Sequence, residues 1–242
     1  MAHSSSPENQ KPFLDLLLSI VIPSVILMKF SSDEHLGPVN GLLVALSFPC
    51  FYFLYELFKS KKTNLISILG IVSVLLTGGI GLLALDPHWV AVKEAAVPAI
   101  IGLFVLGSLR TPFPLVKKMI YNDAIIDTKR VSMALEERHN QDAFERLLTS
   151  TSYLLSFSFF LSSALNYGLA KYIVVTNPAV DQVAFNEEIG RMTALSYPVI
   201  VVPSMLVLGI TLWLLIRGIR RLTNLPMESI FNGEISKKQE QK

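Results

Sequence analysis

Six apolar blocks, each roughly 20 residues long, constrain the fold of this chain more than any other feature. About 20 helical residues, rising 1.5 Å each, cross about 30 Å of hydrocarbon. The blocks run from Pro12 to Phe30, Gly37 to Phe58, Asn64 to Leu85, His88 to Leu109, Ser150 to Val175 and Met192 to Ile216. Each is continuously apolar, where a barrel strand would alternate. The expected fold is therefore all-α: a polytopic membrane protein with a six-transmembrane-helix bundle and a short cytoplasmic helical connection. Charged residues make up only 17% of the chain, against about 25% in soluble domains. A long polar leader precedes Lys11 and no A-x-A-like site follows the first block, so that block reads as a span and not as a cleaved signal.

Lysine and arginine placement sets the orientation. One set of loops carries Lys59, Lys61 and Lys62, then Arg110 through Arg146, then Arg217, Arg220 and Arg221. The opposite loops, "SSDEHLG", "LDPH" and "VVTNPAVDQVAFNEE", have almost no basic residues. Both termini are expected in the cytoplasm. The domain plan is a cytoplasmic tail over 1–11, four spans over 12–110, a cytoplasmic amphipathic connection over 111–149, two spans over 150–217 and a second cytoplasmic tail over 218–242. In the connection, Asp127 is an expected helix N-cap. Phe144, Leu147 and Leu148 form an apolar i, i+3, i+4 set. That set either packs on the base of the bundle or docks a partner.

The fourth block, "HWVAVKEAAVPAIIGLFVLGSLR", carries Lys93, Glu94 and Pro98. Beginning it after Glu94 would leave only about 22 Å of helix, too short to span. Both charges are thus expected one to two turns below the outer surface. Each such charge costs about 2.5–3.5 kcal/mol on the lenient insertion scale, so each needs a partner or a hydrated cavity. Side chains adjacent on a helix point about 100° apart, so the two are not expected to satisfy each other. Pro98 frees the backbone carbonyl of Glu94. A functional polar site, a structural ion pair and simple snorkelling of Lys93 all remain open.

Candidate companions for this polar site are Asp86, Asn166, Glu187, Glu188 and Arg191. Ser152, Ser156, Ser163 and Asn166 share one face of the fifth block, where hydroxyls and amides bond between helices or line a path. Glu187 and Glu188 are spaced to pair with Arg191, or to meet Lys93 instead. Gly70, Ser73, Thr77 and Gly81 form a small-residue ridge suited to close helix packing.

Other chemistry is not signalled. Net charge is +2, which leaves no nucleic-acid footprint. Cys50 is the single cysteine, so no intrachain disulfide forms. His3, His35, His88 and His139 lack metal-ligand spacing, and no P-loop, G-x-S-x-G or dinucleotide fingerprint occurs. No enzyme activity, cofactor or metal is expected.

Several segments together resemble the bacterial inner-membrane-spanning family called intracellular septation protein A. They are "PFLDLLLSIVIPSVILMKF", "YELFKSKKTNLISILGIVSVLLTGGIGLLALDPHWVAVKEAAVP" and "LSSALNYGLA". The matching positions are Asp15, Lys59 to Lys62, Gly78 and Gly79, Asp86, Lys93, and Ala164 to Asn166. Glu94 after Lys93, and the later Pro98, mark a divergent branch. The resemblance implies a bacterial inner-membrane location and a non-enzymatic scaffold role in cell-envelope biogenesis or division. Membrane lipids, elongation or division proteins, and a second copy of the chain are the implied partners. The alternative is a small secondary transporter or lipid-handling protein built on Lys93 and Glu94, with an anionic substrate suited to Lys93.

Overall fold

The computed structural model describes residues 17–60, 65–111, 121 and 126–231. Asp15 and the basic turn at Lys61 and Lys62 lie outside them. The described residues are helical, with no strand; one isolated antiparallel bridge pairs Ile126 with Phe231. Helix α1 (Ile22–Lys29) is entered through a π-helical turn, Leu17–Val21. There follow α2 (Pro38–Ser60), α3 (Leu65–Leu82), α4 (His88–Ser108), α5 (Thr128–Glu137) and α6 (Gln141–Ile173). Helix α7 (Gln182–Ser196) continues through a second π-helical turn, Tyr197–Val201, into α8 (Val202–Thr223), and α9 (Met227–Ile230) closes the series.

Each expected apolar block contains a helix. Three are long and apolar enough to cross a membrane: α4, α6, and the continuous run Gln182–Thr223. Large apolar side chains face outward on α2, α3, α4 and α8. Phe51, Leu75, Leu103, Phe104, Met205 and Leu206 are all at least 60% exposed, which in water would form an unusually extensive apolar surface.

Three boundaries differ from the sequence reading. Helix α6 starts at Gln141, so residues 141–149, assigned to the end of the connection, are the first part of the helix that holds the fifth block. The segment "QDAFERLLTSTSYLL" holds no proline or glycine to end a helix. The break before it comes at His139, whose φ is 51°. Helix α7 starts at Gln182, well ahead of Met192, because the Asp181 carboxylate accepts from the Ala184 N–H at 2.9 Å and caps it. At the other end, α8 runs on past Ile216 to Thr223, and Ile230 of α9 is fully buried.

The chain forms two compact units. The first comprises residues up to Val97 together with Ser163–Val201; the second comprises Pro98–Ser162 and the residues from Val202 onward. In the first unit, α1 packs against α2 and α7, and α2 also packs against α3. Leu27, Leu42, Ile80, Val90, Phe185 and Ile189 form its core. Helices α1 and α7 approach closely at Gly190, where an added Cβ would lie 2.9 Å from both Leu27 Cβ and the Ser24 carbonyl oxygen. Asn186, fully buried one turn before Gly190, donates to the Pro38 carbonyl at 2.7 Å and to Ser31 Oγ at 3.3 Å. Its own oxygen accepts from Gln182 Nε2 at 3.1 Å. Asn186→Ala should leave these groups unpaired and cost about 2 kcal/mol. A fall of about 4–8 °C in the melting midpoint of detergent-purified protein checks it.

In the second unit, Asp127 caps α5 as expected, accepting from the Arg130 N–H at 3.0 Å. The core holds Val131, Leu135, Phe144, Leu148, Leu215 and Ile219. Leu147 is part-buried against it and fills the space over Gly218. The set Phe144, Leu147 and Leu148 therefore serves packing within the unit. Phe144 and Leu148 are buried in that packing.

The serine face of α6 is interhelical glue. Within the second unit, Ser156 Oγ donates to the Gly102 carbonyl of α4 at 2.9 Å. Within the first, Ser163 Oγ donates to the Ala95 carbonyl of α4 at 2.8 Å. Ser152 instead donates to Leu148 in its own helix.

Candidate functional site

The first unit holds the charged pair that the sequence singles out. Asp86 begins its construction: it is exposed and accepts from the His88 N–H at 2.7 Å, which caps α4. Asp86 therefore starts the helix that carries the site and takes no part in the site itself. About two turns on, Lys93 is 9% exposed, and its ammonium lies 2.5 Å from Glu94 Oε1 and 3.2 Å from Ser73 Oγ of α3. The expectation that neighbours on a helix cannot satisfy each other is thus overturned. The Lys93 stem is long enough to curl across the gap, and a short charge-assisted bond outweighs the rotamer cost in a site shielded from water.

Ser73 was legible only as part of a packing ridge. Here it is the second acceptor for Lys93, and Thr77 steadies that turn of α3 by donating to the Ser73 carbonyl at 3.0 Å.

The two charges are unequally accessible. The Lys93 side chain is 7% exposed and the Glu94 side chain 27%. Glu94 Oε1 holds Lys93, and its other oxygen takes no hydrogen bond among the described residues.

Two cavities explain that exposure. One, of about 220 Å³, is lined by Lys93, Glu94, Ser73 and Thr77 together with apolar side chains such as Leu27 and Ile189. The other, of about 130 Å³, is lined by Glu94, Asn166, Thr193, Ser196 and Ile200 among others. Glu94, Met192 and Thr193 line both, so they form the wall the cavities share. Each cavity also borders a π-helical turn: Ser19 of the first turn lines the larger, and Ile200 of the second lines the smaller. Such turns are often found at functional sites.

The remaining candidates separate. Asn166 joins Glu94 at the smaller cavity. Glu188 turns away from Arg191: its carboxylate accepts from the Val175 and Thr176 N–H groups, both at 2.9 Å, and from Thr176 Oγ1 at 2.7 Å. It thereby ties down the chain just past α6. Glu187 and Arg191 are exposed, and among the described residues neither glutamate forms an ion pair with Arg191 or Lys93. Three backbone and hydroxyl donors satisfy Glu188 better than one mobile guanidinium, which accounts for the difference. Thr193 and Ser196, absent from the sequence-based list, belong to the site; their signal was spacing along one face from Ile189.

These features define the class: an all-helical protein, with three helices long and apolar enough for a membrane, that carries a paired cation and anion beside two partly open cavities. No protein-family model matches the sequence, and comparison with curated proteins and with solved structures returns no match.

Proposed function

We propose that the chain is a six-span protein of a bacterial inner membrane, with both termini cytoplasmic, that binds and moves or presents a small polar ligand at Lys93 and Glu94. One observation carries this reading: a lysine and a glutamate line the same cavity, and the glutamate also faces a second. A purely architectural ion pair needs no opening beside it, whereas these cavities leave the Glu94 side chain 27% exposed. Helices α1, α2 and α3 supply the three further spans. Exposed Trp89 and Tyr172 near helix ends suit an interfacial belt. The septation-protein resemblance supports an envelope setting.

Thiol labelling tests the proposal. In a Cys50→Ser background, Thr193→Cys places a thiol in the wall common to both cavities. A small membrane-impermeant methanethiosulfonate should label it in sealed vesicles at least about tenfold faster than a thiol introduced by Ala170→Cys, which sits in the core at 1% exposure. Equal, negligible labelling at both positions from either side of the membrane overturns the ligand-binding role.

A further inference from the structure

We infer that the ligand of this site is a zwitterion bearing a primary ammonium and an anionic group, of the phosphoethanolamine or amino-acid type. The inference rests on the proposed ligand-binding role and adds the chemical class.

Hydrogen-bonding capacity is the starting point. An ammonium has three donors. Lys93 uses one on Glu94 Oε1 and one on Ser73 Oγ, which leaves one. A carboxylate accepts at two oxygens, and the second oxygen of Glu94 has no hydrogen bond among the described residues. The site thus offers one free donor on a cation and one free acceptor on an anion, side by side in the same cavity. A ligand ammonium fits the open oxygen, and a ligand phosphate or carboxylate oxygen fits the remaining Lys93 N–H. Both bonds form without breaking the pair.

Charge balance selects the same class. Lys93 and Glu94 together are neutral. A simple cation or a simple anion would leave net charge beside Lys93, which is buried at 9% exposure, and that is disfavoured. A zwitterion adds none, and its two charges alternate with those of the pair. The anionic substrate that Lys93 alone suggests is disfavoured for this reason, and because Glu94 is the more accessible partner.

Size agrees. The cavity, of about 220 Å³, holds several waters. That accommodates a headgroup or a small amino acid and not a whole lipid. Leu27, Leu46, Val74 and Ile189 on its wall offer an apolar surface to the carbon skeleton.

The test is calorimetric titration of the purified full-length protein in detergent. Phosphoethanolamine should bind at least about tenfold tighter than ethanolamine or inorganic phosphate. Glu94→Gln and Lys93→Gln should each weaken it by at least about tenfold, while Asp86→Asn leaves it unchanged. The double variant K93Q/E94Q strands no charge, so it keeps the test decisive if a single variant fails to fold; it should lose binding. Dihexanoyl phosphatidylethanolamine separates the two sources. Tighter binding than phosphoethanolamine assigns the site to a lipid headgroup, and equal binding assigns it to a free solute. Zwitterion binding that survives in the double variant overturns the inference, as does ethanolamine or phosphate binding equally well. A Glu94-dependent response to ethanolamine alone would sink the zwitterion and leave the ligand-binding role standing. Failure of labelling at Thr193→Cys removes both.

Discussion

Lys93→Ala should lower the stability of the purified protein by about 2–3 kcal/mol, while Lys93→Met combined with Glu94→Gln should stay within about 1 kcal/mol of the parent. The asymmetry follows from what each change leaves behind. Lys93 is 9% exposed and, among the described residues, supplies the one hydrogen bond to the Glu94 carboxylate. Removing it alone strands a carboxylate whose side chain is only 27% exposed. A fully enclosed pair broken in this way costs about 3–5 kcal/mol; the cavities give Glu94 partial relief, which reduces the figure. The double variant removes both desolvated charges and keeps similar volumes. Melting midpoints in detergent should therefore fall by about 4–12 °C for the single variant and by no more than about 4 °C for the double. Equal losses in both would mean that the pair is not held together by charge.

Gly190→Val has the other large expected effect. A Cβ at this position would lie 2.9 Å from the Ser24 carbonyl oxygen and from Leu27 Cβ, and 3.0 Å from Met28 Cγ. A carbonyl on a packed helix cannot retreat as a flexible side-chain end can. Helices α1 and α7 would have to separate, loosening the core around Leu27, Phe185 and Ile189. Overpacking of this kind costs about 1–3 kcal/mol, and valine's branches put the effect at the upper end. The gain of about 0.5–1 kcal/mol from replacing a helical glycine does not offset it. Gly168→Ala, at a position with nothing within 4 Å of an added Cβ, should leave the melting midpoint unchanged or slightly raised. A Gly190→Val protein as stable as the parent would contradict the close approach of α1 and α7.

The helices themselves were largely legible in the sequence, because apolar blocks bounded by charge and proline leave little choice of secondary structure. Their ends were less so. Hydropathy falls before Ser150 and before Met192, yet the backbone continues as helix to Gln141 and Gln182. Helical hydrogen bonding does not depend on side-chain polarity, and only a breaker or a cap ends it. The Asp181 cap was visible as a residue but sat inside what composition marked as a loop.

The site was legible in its charges and not in its partners. Lys93 and Glu94 stand out because depth makes charge expensive. Ser73 did not, since a serine on a small-residue ridge reads equally well as packing and as an acceptor. The local geometry argument also failed at Lys93, because it followed Cβ directions and ignored the reach of a four-carbon stem. Glu188 and Arg191 had helical spacing suited to an ion pair, but the competing donors, the Val175 and Thr176 N–H groups, come from a loop whose position only the fold determines. The π-helical turns that border the cavities leave no clear sequence signal beyond nearby Pro23 and Pro198.

The central claim is that a cation and an anion on adjacent residues of α4 compensate each other inside the apolar part of the protein. Solid-state NMR recoupling between the Lys93 Nζ nitrogen and the Glu94 Cδ carbon, with the protein in lipid bilayers, measures it most directly. Strong dephasing is expected, equivalent to a separation within about 4 Å, and it should disappear in Glu94→Gln carrying the same labels. A Lys93 signal that shows no dephasing in the parent protein would contradict it.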